Sequence, residues 1–181
     1  MTDDLFWELL DSETAYSCPG FDVINETVRL PTGIETDFDY VSEGDSVVIL
    51  PFTTDGDVVV IEEWREAVGR VNYGLPAGGL EPHDGEPAAA VERELIEETG
   101  YEAGEIEHLT TVEPANGFSD AVFHYFVAHD CTPTAEQDLD HNESIDVGTA
   151  AFEDLVRAVS ADELRDGRAA LAILYYHAFE A

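Results

Sequence analysis

Two short apolar runs, Val47-Val-Ile-Leu50 and Val58-Val-Val-Ile61, stand out from the mixed pattern around them. Continuous apolar runs of this length fit strands buried on both faces. They predict strands over 46–52 and 58–62, with Asp55-Gly56 as a tight hairpin turn between them. Upstream, residues 5–16 and 21–30 mix polar positions with Val, Ile, Thr and aromatics, and read as strands around a Pro19-Gly20 turn. Another short strand is expected over 37–41. Downstream, strands are expected over 105–112, 122–129 and 146–152, and a flexible acidic loop over 132–144. A short helix over 153–159 should precede a C-terminal helix over 161–181, which carries Leu164, Ala169, Leu171, Leu174 and Tyr175.

The period changes after the turn-rich stretch 75–87. Pro87 suits the first turn of a helix, where a missing N–H costs nothing, and Gly100 suits the left-handed residue just past its end. Between them Ala88, Val91 and Leu95 recur at helical spacing and should face a core. Strands around one central helix, with helices at the end, predict a mixed α/β (α+β) sandwich. No linker rich in Gly, Pro or Ser separates the chain into independent parts. The expected division is an N-terminal β region at 1–44 and a main domain at 45–181.

Composition changes the picture through charge alone. An apolar content of 44% over 181 residues is ordinary for one folded domain, but the formal net charge is −34, with seven arginines and no lysine. The acids are interleaved with apolar residues, which argues for folding. Such a chain repels itself at low salt and is relieved by concentrated cations. We read the acidity as a halophile-like adaptation. It excludes nonspecific nucleic-acid binding, which needs a basic surface. The N-terminus has no signal-peptide pattern and no apolar run reaches the length of a membrane span, so a cytoplasmic location is expected. Cys18 and Cys131 have no spacing signature and are expected as buried free thiols. The six histidines are scattered and are assigned no chemistry.

The chemistry sits on the central helix. Glu94, Glu97 and Glu98 fall at i, i+3 and i+4, so their carboxylates share one face and repel. A hard divalent cation reverses that sign, binding through a few carboxylates and substrate phosphates. Arg93 adds a planar fork able to hold a carboxylate. A Glu-Glu pair alone means little in a chain with 41 acidic residues, where a solvated acidic face is the ordinary explanation. The full string from Arg93 to Tyr101, Arg-Glu-Leu-Ile-Glu-Glu-Thr-Gly-Tyr, preceded by Leu75-Pro-Ala-Gly-Gly79, is far more specific. It resembles the second half of the Nudix box. The first half departs from the family pattern. Counting back without a gap puts Gly85 where the first box glutamate belongs and Gly79 at the box glycine. Taking Gly78 as that glycine requires one inserted residue near 83–86, with Glu86 the preferred substitute for the glutamate and Asp84 the alternative.

The likeness extends outside the box to the ADP-ribose pyrophosphatase branch. It is carried by the strand ending at Arg65, by Leu-Pro-Ala-Gly at 75–78, by Ala-Asn-Gly-Phe-Ser at 115–119 and by the acidic stretch 143–147. The resemblance implies a Nudix-type α/β/α sandwich with an added N-terminal sheet. It implies Mg²⁺, with Mn²⁺ as the alternative, on Glu94, Glu97, Glu98 and the Ala77 carbonyl, and Arg93 in support. Glu143 would be the base, with a solvated loop carboxylate as its alternative, and Glu97 would share in catalysis. Substrate contacts would come from Arg65, Trp7, Gly79 and Phe118. The alternatives are a structural ion pair for Arg65, core or dimer packing for Trp7 and a loop anchor for Phe118. The implied reaction is hydrolysis of ADP-ribose to AMP and ribose 5-phosphate by a homodimer. GDP-mannose or another nucleoside diphosphate sugar is the alternative substrate, and an ADP-ribose sensor without turnover is a second alternative.

Overall fold

Both apolar runs form strands at the middle of a mixed sheet. In the computed structural model, which describes residues 5–180, they lie in β4 (Ser46–Thr53) and β5 (Asp57–Arg65). Gly56 turns the hairpin at φ +87°, a value open to glycine at little cost. The chain divides into two units: Met1–Asp45 with Glu113–Val122, and Ser46–Val112 with Phe123–Ala181.

The larger unit adds β6 (Arg70–Gly74), β7 (Ala77–Gly79), α1 (Pro87–Thr99), β8 (Tyr101–Glu102), β9 (Glu105–Val112), β10 (Phe123–Pro133), β11 (Ile145–Ala151), α2 (Phe152–Ser160) and α3 (Gly167–Phe179). Its sheet runs β11-β5-β4-β10-β8, with β6 on β5, β7 on β4 and β9 on β10. The β4–β10 pair is parallel and the others are antiparallel. Period-2 alternation explains why β4 is apolar throughout. Val47 and Ile49 pack with Val91 and Leu95 of α1, while Val48 and Leu50 pack with Leu155 of α2 and Ile173 of α3. Two helical layers thus cover both faces, and each fully buried Val, Leu or Ile contributes about 1.5–3 kcal/mol. This is the expected α/β/α sandwich.

The N-terminal unit is an antiparallel sheet of β1 (Glu8–Cys18), β2 (Phe21–Arg29) and β3 (Glu35–Ser42). Segment 113–122 joins it. The Val41 N–H donates to the Phe118 carbonyl (2.8 Å), and the Ser42 hydroxyl donates to Asp120 (2.7 Å).

Several expectations need correction. β6, β7 and β8 fall where loops were expected, and β10 runs on to Pro133. The C-terminal helix begins at Gly167, because the Asp166 side chain accepts the N–H groups of Arg168 and Ala169 and caps it there. Leu164 is buried but precedes that helix. Ala88 is exposed and Ala90 takes the core position. Cys131 is buried, whereas Cys18 is half-buried and donates its S–H to the Phe21 carbonyl. No described helix is long and apolar enough to cross a membrane.

Candidate active site

Helix α1 starts at Pro87 and stops at Gly100, whose φ is +74° and whose N–H bonds the Ile96 carbonyl. Its buried stripe of Ala90, Val91 and Leu95 fixes its rotation against the sheet. That rotation turns Glu94, Glu97 and Glu98 toward β7 and a cleft of about 390 Å³. These acids occupy the C-terminal half of the helix, and no basic residue lies in its last turn. Negative charge there opposes the helix dipole. The arrangement costs stability unless a cation answers it.

Each carboxylate has a different neighbour. Glu98 is 3% exposed and accepts the Ala77 N–H at 3.0 Å. Glu94 is 8% exposed and lies against Gly78 so closely that a Cβ there would come within 2.0 Å of its carboxyl carbon. Gly78, and not Gly79, is therefore the glycine this carboxylate requires. Glu97 is more open and accepts Arg93 Nη1 at 3.0 Å, while the same nitrogen reaches Glu94 at 2.8 Å. Burial pushes Glu98 up to about 8 and Glu94 to about 7, the latter against the pull of Arg93.

Arg93 ties the loop before the helix to the helix itself. Its Nε and Nη2 meet the two oxygens of Asp84 at 3.2 and 3.0 Å, and Nη2 also meets the Gly79 carbonyl at 2.8 Å. The hydrogen bonds from Arg93, followed by the Glu81 N–H, hold Asp84 down to about 2. Glu86, the preferred substitute on sequence grounds, is the exposed N-cap of α1 and makes no side-chain cap bond. The partner of Arg93 is Asp84. Its signal was in the spacing: counted from Gly78, five residues intervene before Asp84, so the extra residue lies between Asp84 and Arg93.

The stretch 138–143 also lines the cleft, through Asp138, Leu139, Asp140 and Glu143. Glu143 Oε2 accepts the Asp140 N–H at 2.9 Å. The stretch was expected to be flexible, yet it is bonded to α1: Thr134 and Ala135 N–H groups reach the Gly100 carbonyl, and Asp138 N–H reaches the Glu97 carbonyl. Gly100 allows this approach, since a Cβ would come within 2.4 Å of the Ala135 oxygen.

The cleft thus brings together Gly79, Arg93, Glu94, Glu97, Glu98 and Glu143, with Ala77 joined through its N–H. Arg65 does not line it. Its Nη2 lies 2.6 Å from Oε2 of buried Glu63, a charge contact without the alignment of a hydrogen bond. Trp7 lies in the N-terminal unit, 46% exposed and edge-on to Phe38. Phe118 is in the same unit; its main chain anchors the loop while its ring is 63% exposed. Sequence reasoning missed a part-buried network that links β5, β6 and the start of α3. Asp166 holds Arg168 (3.1 Å) and accepts Asn72 (2.9 Å), while burial pushes Glu63 up against the pull of Arg65 and Arg168. Burial would raise Asp166, but Arg168 and the two capping N–H groups overcome it and leave it below its ordinary value.

Chemically, the cleft gathers oxygen donors of the kind hard divalent cations prefer. Among the described residues, no three acidic or imidazole groups enclose an ion as they stand, since Arg93 occupies Glu94 and Glu97. The clearance at Gly78 and the burial of Glu94 and Glu98 nevertheless fit a cation, because Arg93 is one charge against three carboxylates and, among the described residues, Glu98 has only the Ala77 N–H as a partner.

Comparisons with known proteins bear on the family and the fold. The NUDIX domain profile matches residues 43–174. The chain is similar to the ADP-ribose pyrophosphatase of Bacillus subtilis (strain 168), 32% identical over 93% of this chain and 91% of the relative. It is also similar to the GDP-mannose pyrophosphatase of Klebsiella pneumoniae, 34% identical over 65% of this chain and 63% of that one. Among solved structures, one described as an ADP compounds hydrolase superposes with a TM-score of 0.84 over 96% of this chain and 93% of the other, at 19% identity, and bears on the fold. With the profile covering most of its length and the carboxylate helix, its glycine and its arginine in place, this chain belongs to the NUDIX domain family.

Proposed function

We propose that the chain hydrolyses the diphosphate bond of a nucleoside diphosphate sugar, with ADP-ribose giving AMP and ribose 5-phosphate. The observation that carries this is the cleft itself: Glu94, Glu97 and Glu98 of the helix, Gly78 pressed against Glu94, and Glu143 line the same space. ADP-ribose is favoured by the relative that matches over nearly the whole chain. GDP-mannose is the second reading, favoured by a relative of slightly higher identity over a shorter span.

Nudix hydrolases generally use divalent metal ions. Here Mg²⁺, or Mn²⁺ in its place, would be held by Glu94, Glu97, Glu98 and the Ala77 carbonyl. When bound it supplies Lewis acidity toward the phosphoryl oxygens and acidifies water. The chain's own groups do the rest. Arg93, anchored on Asp84, keeps the helix carboxylates in place. Glu143 has one oxygen on the Asp140 N–H, which leaves the other to take the proton of the attacking water. Water adds to one phosphorus, the bridging P–O bond breaks, and the second phosphate departs with the bridging oxygen. Arg65, oriented by Glu63, is the candidate contact for substrate phosphate, and Gly79, Trp7 and Phe118 are further candidate contacts. The N-terminal unit is proposed to serve dimerisation and substrate contacts, in a cytoplasmic, salt-adapted homodimer.

The test is product release from a panel of nucleoside diphosphate sugars with Mg²⁺ in molar KCl. AMP from ADP-ribose well ahead of other products is the expected result. Preference for GDP-mannose would move the substrate, and tight ADP-ribose binding without turnover would make the protein a sensor.

A further inference from the structure

Glu143 faces the helix glutamates only because something places its loop. Inside the loop, Glu143 and Asp140 close on each other: the Asp140 N–H reaches Glu143 Oε2 at 2.9 Å, and the Glu143 N–H reaches the Asp140 carbonyl at 3.0 Å. This small turn would move as a unit, so its position depends on what holds its ends. The Asp138 N–H on the Glu97 carbonyl and the Trp64 N–H on the Ser144 carbonyl hold one end each, and one side chain spans both. Gln137 Nε2 donates to the Glu98 carbonyl at 2.6 Å and to the Ile145 carbonyl at 3.3 Å. Glu98 lies in the last turn of α1, and Ile145 opens β11.

A carboxamide nitrogen carries two N–H groups in one plane. Both go to carbonyl oxygens here, so the nitrogen and not the amide oxygen must face them. One of these is a late helical carbonyl, which has no partner within the helix. Gln137 therefore joins the helix that carries Glu94, Glu97 and Glu98 to both ends of the segment that carries Glu143.

We propose that Gln137 is a positioning residue, whose carboxamide sets Glu143 at its place across the cleft from α1. The proposal rests on the reading of Glu143 as the base. Gln137→Glu tests it, because the change is nearly isosteric but replaces a double donor by a carboxylate facing two carbonyls. The expected result is a fall in kcat of about ten- to a hundredfold, the scale of a misplaced catalytic group, with KM for ADP-ribose unchanged. Hydrogen exchange at the Asp140 and Glu143 amides should accelerate. The double variant with Glu143→Gln should be no slower than Glu143→Gln alone. Wild-type kcat, additive losses or unchanged exchange would overturn the proposal. If Gln137→Glu does not fold, Gln137→Ala carries the same readouts. Wild-type turnover in Glu143→Gln would remove the base reading, and the exchange data would then judge the tether alone.

Discussion

A glycine with no room for a side chain decides where Glu94 points. Gly78→Ala places a methyl on the Glu94 carboxylate. Binding of Mn²⁺, followed by titration calorimetry, should weaken at least about tenfold, the scale seen when groups that orient a metal ligand are lost. Glu98→Gln should keep the fold, because an amide oxygen still accepts the Ala77 N–H, but should abolish most turnover. The buried glutamates also set a pH dependence. Unfolded, both titrate near the ordinary glutamate value of 4.5; folded, Glu94 sits at about 7 and Glu98 at about 8. The native state then binds more protons between those values, so metal-free stability should fall as pH rises from about 4.5 to 8 and level off above. Thermal melts in EDTA should show this, and Glu98→Gln should flatten the upper part. At the acid end, the contribution of Asp84 is lost progressively as pH falls from about 3.8, its ordinary value, to about 2, where Arg93 holds it. The three helix glutamates were legible because the whole string from Arg93 to Tyr101 surrounds them, not from their spacing alone. Asp84 was legible only as the alternative to Glu86, since the spacing favours it only once Gly78 is known to touch Glu94.

Elements whose order comes from local pattern were readable, and those made by pairing were not. β4 and β5 carry their own apolar runs, and α1 carries Pro87 and Gly100. β6 has one alternating Val-Asn-Tyr between polar ends, and β7 has three residues; both exist because β5 and β4 offer partners. The start of α3 was misplaced for a related reason. Asp166 looks like any other acid in this chain until it is seen to cap the helix and hold Arg168. Asp166→Ala should cost about 2–4 kcal/mol, combining a lost cap with an unpaired, largely buried arginine; urea unfolding measures it. Gly100→Ala should destabilise and loosen residues 134–144 together, since its φ of +74° and the nearby Ala135 carbonyl both disfavour a side chain.

Over the whole molecule, charge sets the conditions. With a formal net charge of −34, the melting temperature should climb steadily as KCl is raised from 0.1 M into the molar range, where the Debye length shrinks from about 10 Å to about 3 Å. A flat profile would remove the salt-adapted reading. The division into units has a separate consequence for synthesis. The N-terminal unit is discontinuous: Val41, Ser42 and Glu43 bond to residues 118–120. A single cut after Asp45 cannot release it whole, and a chain lacking residues 1–45 leaves segment 113–122 without these partners. On the ribosome, the first strands must wait for residue 122 to emerge before their unit is complete, so the beginning of this protein stays unfinished while the sheet strands from β4 to β9 are being made.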